Sequence, residues 1–228
     1  MSLLDDIAAR GAQIRERVHE LAQGKYSTDI KTVMVVGYVA LALQLHKAIW
    51  LLTDAKLYGA AFALVRPVFD AWLRALWING IATPEQVEQA SQDELPFPSM
   101  DKMLAAIKPV YFSKPAKQDA NAQADDEATN HAAMVDRLFH WLTPLWRVLH
   151  SYTHPGARQL ARQFTADQVK PSFTEREIAQ GLNLPSVALI FLMGPFFISI
   201  GKQAAADEVH ALALQYFAEF NERLTKGQ

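Results

Sequence analysis

The chain has 228 residues, of which half are hydrophobic and a fifth are charged, and its formal net charge at pH 7 is −2. This composition is typical of a globular protein that buries a core, and the near-neutral charge argues against a broad surface for polyanions. The absence of cysteine excludes disulfides, zinc–thiolate sites and thiol nucleophiles. The charged stretch 1–20 lacks the apolar run of a signal peptide, so we expect a cytoplasmic protein.

The N-terminal part of the chain predicts two helices, over residues 2–22 and 30–52. Apolar residues recur at steps of three and four in the first segment, and Gly24 follows its end. Thr28 and Asp29 stand where an N-cap is expected for the second helix. His46 lies on an apolar face of that helix, where a hydrogen-bonded core histidine is commoner than a ligand.

The stretch 55–80 predicts the helix around which the chain is organised. It is apolar nearly all the way round, yet Arg66, Asp70 and Arg74 follow each other at i, i+4 and i+8 and therefore share one face. A helix of this composition is usually buried, and buried charges are costly unless they are paired. We therefore expect another polar face to lie against this one. Pro67 removes a backbone donor and predicts a kink.

The middle of the chain predicts short helices and one long loop. Helices are expected at 84–90 and at 100–107, where Pro109 ends the second. The polar, aperiodic segment 113–129 predicts a flexible loop. A helix over 130–142 follows, and the Thr143-Pro144 pair opens a further helix over 145–154.

The C-terminal part predicts helices and no strand. Thr174 and Glu177 form a capping-box pattern that opens a short helix. The uncharged stretch 184–201 approaches membrane-spanning length, but Pro185 and Pro195 interrupt it, and we interpret it as a buried helix with no membrane contact. An amphipathic helix with Val209 and Tyr216 inward completes an all-α fold. We expect a single domain over 1–228, an irregular bundle of about six to eight helices.

A second polar face lies in the aromatic segment 145–154. Arg147, His150 and His154 are spaced i, i+3 and i+7 and share one side of the helix, with Tyr152 beside them. This face is expected to meet Arg66, Asp70 and Arg74, so that Asp70 holds an arginine or fixes a histidine tautomer. Two interpretations stay open at this point: a structural network that fixes helix register, and a functional pocket.

Three chemistries use residues of this kind. Metal-independent RNA cleavage needs a histidine as acid or base and an arginine that stabilises the phosphorane charge. A metal site could be built from His150 and His154 with Asp70 or His46, although neither HExxH nor Glu-x-x-His occurs in the sequence. A cluster of arginines could also hold a small phosphate or carboxylate.

The segment RVLHSYTHPG, residues 147–156, resembles the Arg-x(4–6)-His motif of HEPN-domain proteins, here with six intervening residues. Together with RPVFDAWLRALW, residues 66–77, it is similar to uncharacterised bacterial helical families. The resemblance implies an all-α homodimer that acts on RNA without a cofactor or metal, possessing the ribonuclease pair Arg147 and His154. The residues that would support this pair are Arg66, Asp70, Arg74, His150 and Tyr152. The chain departs from the motif at Val148, where a polar residue is frequent.

Two alternatives to this function stand beside it. The first is a non-catalytic helical scaffold or a module that binds a small anion, in which the Arg/Asp/His cluster is structural. The second is a metal-dependent bundle enzyme.

Overall fold

The structure is a computed structural model that describes residues 3–111, 146–154, 160–162, 164–165, 168–169 and 172–226. Its helices are α1 (Leu3–Leu21), α2 (Ile30–Asp54), α3 (Tyr58–Gly80), α4 (Pro84–Ser91), α5 (Met100–Tyr111), α6 (described over 146–153), α7 (Glu175–Ser199) and α8 (Gln203–Lys226). Two strands of two residues each, β1 (Phe164–Thr165) and β2 (Gln168–Val169), pair antiparallel with Phe164 opposite Val169. The fold is an all-α bundle, as predicted. The strand pair was not predicted, because two residues are too few for an alternating pattern.

Helix α3 lies at the centre of the bundle and packs against α2, α5 and α7. Trp72 and Phe69 are the largest of its side chains that are completely buried. The helix begins at Tyr58 and not at residue 55, since residues 55–57 form the turn from α2, in which Lys56 has a φ of 58°. The prediction that the chain is organised around this segment is confirmed.

Two predicted helix ends are wrong, and both involve proline. Helix α5 continues through Pro109 to Tyr111, and α7 is one helix that includes Pro185 and Pro195. The short helix expected after the Thr174–Glu177 capping box is therefore the first part of α7. A proline removes one backbone hydrogen bond, a cost that burial of a nearly continuous apolar surface can outweigh.

Three predictions cannot be compared with the fold. The flexible loop at 113–129 and the helix at 130–142 lie outside the described residues. The extent of one domain over 1–228 stays a prediction.

Helices α2 and α7 are both long and apolar enough to cross a membrane, by length and composition alone. Of the apolar stretch of α7, 76% is buried inside the bundle, whereas in α2 only 39% is buried. The burial of α7 agrees with the interpretation of 184–201 as a core helix.

A buried polar cluster joins α2, α7 and α8. His46 is completely buried, and its Nε2 lies 3.0 Å from Ser186 Oγ and 3.4 Å from Trp50 Nε1. Tyr216 donates a hydrogen bond to the buried Asn183. Burial, reinforced by the positive charge of Arg15, lowers the pKa of His46 to about 3. The expectation of a hydrogen-bonded core histidine is confirmed.

Candidate functional site

Arg66 connects the two predicted polar faces. Its Nε lies 3.6 Å from Asp70 Oδ2 on the same helix, and a terminal nitrogen donates to His150 Nδ1 on α6. The guanidinium carbon also lies 4.8 Å from the centroid of the Trp146 ring. Planar stacking and directed N–H groups allow one arginine to make all three contacts at once. The expected meeting of α3 and the 145–154 segment is therefore made by Arg66.

Pro67 contributes to the same helix contact. A proline at this position donates no hydrogen bond to the carbonyl of Ala63, four residues earlier in α3. Thr153 of α6 places its hydroxyl 3.4 Å from that carbonyl oxygen, and 3.1 Å from Leu149 O in its own helix. The break in the α3 hydrogen-bond ladder thus lies where α6 packs. Thr153 was not predicted from the sequence, although the carbonyl released by Pro67 is a signal that could have led to it.

The contact with Arg66 fixes the chemical state of His150. Because an arginine N–H can only donate, Nδ1 of His150 accepts, and the neutral ring carries its proton on Nε2. Desolvation, together with the nearby charges of Arg66 and His154, lowers the pKa of His150. His150 is consequently a neutral hydrogen-bond donor near pH 7.

The exposed side of α6 carries the remaining predicted residues. We define the α6 face as Arg147, His150 and His154, whose side chains are all exposed. The rings of His150 and His154 lie 4.5 Å apart between centroids, with 55° between their planes. Within the described part of the chain, no hydrogen bond or ion pair engages the side chain of Arg147.

Two other predicted residues lie elsewhere. Arg74 points its guanidinium at the ring of Phe97, 4.4 Å from the centroid, and has no described contact with α6. The Tyr152 ring packs against Phe62, 5.2 Å between centroids, and near Phe173 at 6.4 Å. Both side chains therefore contact the bundle and are not directed at the α6 face.

The carboxyl of Asp70 is influenced by two arginines. Burial raises the pKa of its carboxyl, and the charges of Arg66 and Arg74 oppose that rise. Its described ion pair is with Arg66, and among the described contacts Arg66 is the residue that connects it with α6. Of the two roles expected for Asp70, the structure shows that it holds an arginine, and this arginine, Arg66, in turn contacts His150.

The described clefts lie away from the α6 face. The larger has a volume of about 510 Å³ and lies between α1 and α2, with Arg15, Lys47 and Gln44 among its polar lining residues. The smaller, of about 170 Å³, lies between α7 and α8 and has Tyr111 on its wall. Neither described cleft includes a residue of the α6 face.

Among the residues that the structure describes, no three His, Asp or Glu side chains are grouped closely enough to hold a metal ion. His150 and His154 lie near each other, but Nδ1 of His150 accepts from a cation. That nitrogen is therefore occupied.

The chain matches a family of proteins of unknown function. The model of a family of unknown function, DUF6988, matches residues 39–222, so the chain belongs to this family. The matched region includes α3, α6 and α7. No curated protein and no solved structure matches the chain. The match does not extend to HEPN-domain proteins, and that affiliation stays a proposal.

Proposed function

We propose that this member of the DUF6988 family is a HEPN-like protein that cleaves RNA without a metal, at the exposed face of α6. One observation carries the proposal: Arg147, His150 and His154 are exposed on one side of α6, a helix that Arg66 anchors to α3. An exposed arginine next to two histidines is the minimum set for moving a proton beside a phosphodiester.

The tautomer of His150 divides the roles. Because Nδ1 of His150 accepts from Arg66, its Nε2–H donates a hydrogen bond to a phosphate oxygen. His154 is then the residue that takes the proton from the ribose 2′-hydroxyl. The 2′-oxygen bonds to phosphorus, the bond to the 5′-oxygen breaks, and that oxygen takes a proton from solvent. Arg147 balances the negative charge that develops on the non-bridging oxygens.

The experiment is cleavage of a structured RNA in EDTA by the parent, His154→Ala and Arg147→Ala. His19→Ala is the matched control, because His19 is another exposed histidine on a different helix. We expect cleavage by the parent and the control, and a loss of at least about 100-fold in both α6 variants. Absence of EDTA-resistant cleavage, or equal cleavage by parent and His154→Ala, would refute the nuclease.

A small-anion-binding module is the second candidate, and the cleft between α1 and α2 favours it. Its volume of about 510 Å³ is within the range of small-molecule sites, and Lys47 supplies positive charge beside apolar Val39 and Leu43. Arg15 also lines the cleft, where it lies 3.6 Å from the carboxylate of Glu16. In this case millimolar inorganic phosphate or hexanoate should raise the melting temperature of the parent. The same ligands should leave the Lys47→Met variant unchanged.

A further inference from the structure

Helices α1 and α2 touch at one end and are joined at the other. A Cβ added at Gly11 of α1 would lie 2.7 Å from the ring of Trp50 of α2, so the two helices are in direct contact there. Residues 22–29 connect the helices, and Tyr26 in this connection lines the cleft of about 510 Å³ that lies between them. The helices are therefore antiparallel, and the cleft extends from the connection toward the contact at Gly11.

The floor of this cleft is apolar and buried. Its residues are Val39 and Leu43 of α2 and Phe196 of α7, and none of the three is more than 9% exposed. We call these three residues the apolar floor. Val36 and Ala22 extend the apolar lining toward the connection between the helices. A ligand that fills the cleft removes this surface from water, which favours binding.

The positive charge of the cleft lies near the helix contact, since Lys47 and Arg15 are each one turn from the residues that touch. Lys47 is exposed, and within the described part of the chain no hydrogen bond or ion pair engages its ammonium group. Arg15, on the opposite wall, lies 3.6 Å from the carboxylate of Glu16, whose side chain is 70% exposed. Two positive charges and one negative charge leave one positive charge. This end of the cleft therefore suits a ligand with a single negative charge.

The opposite end of the cleft differs in charge. Among the described residues that line it there, none is charged, and the hydroxyl of Tyr26 donates to the carbonyl of Ala22. The ammonium group of Lys202 lies nearby, over the ring of Tyr26, but it donates to the carbonyl oxygens of Leu21 and Gln23. It therefore caps the end of α1 and is not directed at the cleft.

We propose that the cleft binds a carboxylate with a linear apolar tail, such as a medium-chain fatty acid. The head group lies at Lys47, and the tail lies along the apolar floor toward Tyr26. This inference rests on the second candidate function, the binding of a small anion, and specifies the class of that anion. The lining residues 36–47 of α2 span about 16 Å along the helix, which gives room for a tail. Inorganic phosphate would occupy the charged end and leave the apolar floor without a ligand contact.

Isothermal titration calorimetry with octanoate, butyrate, inorganic phosphate and 1-octanol separates the role of the head group from that of the tail. The parent should bind octanoate at least about 10-fold more tightly than butyrate, which lacks four methylene groups of the tail. It should also bind octanoate more tightly than 1-octanol, which has no charge. Lys47→Met should lower the affinity for octanoate to that for 1-octanol. Lys31→Met removes a lysine of α2 that does not line the cleft, so this variant should bind octanoate like the parent.

A second pair of variants tests the location of the ligand. Ala40→Trp introduces a large ring into the cleft from an exposed position on α2, so it should abolish the binding of octanoate. Leu41→Trp, also at an exposed position on α2 but outside the cleft lining, should bind octanoate like the parent. Equal binding by the parent and Ala40→Trp, both folded by circular dichroism, would overturn the proposal.

Three results of the calorimetry would also overturn the proposal, and they differ in what they mean for the anion-binding candidate. If butyrate or inorganic phosphate binds as tightly as octanoate, that candidate stands and the apolar tail is wrong. If 1-octanol binds as tightly as octanoate, the site is purely apolar and both are wrong. If none of the four compounds binds, both are wrong as well. The cleavage assay at the α6 face is independent of these results.

Discussion

His46 should make the stability of this protein fall as the pH is lowered from 7 to 4.5. In the unfolded chain a histidine binds a proton near pH 6.5, whereas burial lowers the pKa of His46 in the fold to about 3. Between these values the unfolded state binds more protons than the folded state, so acid favours unfolding. The stability that the neutral His46 contributes is complete above pH 6.5 and is progressively lost as the pH falls toward 3.

The magnitude follows from the two pKa values. Each unit by which the pH is lowered inside this window reduces the free energy of unfolding by about 1.4 kcal/mol. From pH 7 to 4.5 the reduction caused by His46 alone is about 2.5 kcal/mol. The geometry supports a neutral ring, since Trp50 Nε1–H points at Nε2 from 3.4 Å and no described group accepts from Nδ1. Protonation would place a second N–H against the indole N–H.

The assay is urea unfolding at pH 7.0, 6.0, 5.0 and 4.5 for the parent and His46→Gln. The introduced amide keeps a partner for Ser186 but does not titrate, so the variant's free energy of unfolding should be lower at pH 7 and should fall less steeply with acid. The difference between parent and variant isolates His46 from the other titrating groups. His19→Gln, which removes an exposed histidine, should follow the parent curve. Parallel pH profiles for parent and His46→Gln would refute the reasoning.

Three further predictions concern packing, capping and the α6 anchor. Gly181→Ala should lower the free energy of unfolding by about 1–3 kcal/mol, since the added Cβ would overlap the Phe62 ring. Gly194→Ala lies on the same helix but faces open space, so it should raise the free energy of unfolding by up to about 1 kcal/mol. Urea unfolding of the two variants tests the difference. Thr174→Ala should cost about 1 kcal/mol by removing the α7 capping box, measured in the same way. Arg66→Met should raise the pKa of His150 in an NMR titration, while Arg74→Met should not.

The helices and their main contact could be predicted because both depend on local periodicity. Three charges on an apolar helix and three polar residues on an aromatic one required partners, and Arg66 and His150 do meet. The destination of Arg74 could not be predicted in this way. Its partner Phe97 lies in the segment between α4 and α5, and nothing in the spacing of α3 specifies where that segment packs.

The exposure of α2 was beyond sequence analysis for a related reason. The sequence pattern does not distinguish the buried Val39 from the exposed Leu41, because either residue is compatible with a helix in the core of a bundle. The continuity of α7 was missed for the opposite reason. Local rules for Pro185 and Pro195 predict interruption, but the helix is buried on nearly all sides, and tertiary packing determines its length.

The structural and functional interpretations of the polar cluster apply to different residues. Arg66 contacts an acidic, an aromatic and an imidazole side chain, and its own side chain is only 19% exposed. A structural role, the attachment of α6 to α3, therefore accounts for Arg66. Arg147 and His154 are exposed and hold no helix in place by any described hydrogen bond or ion pair of their side chains. An exposed charge without a structural partner contributes little to stability. Removal of Arg66 should therefore disturb both the fold and the α6 face, whereas removal of Arg147 or His154 should change what the face does and leave the bundle intact.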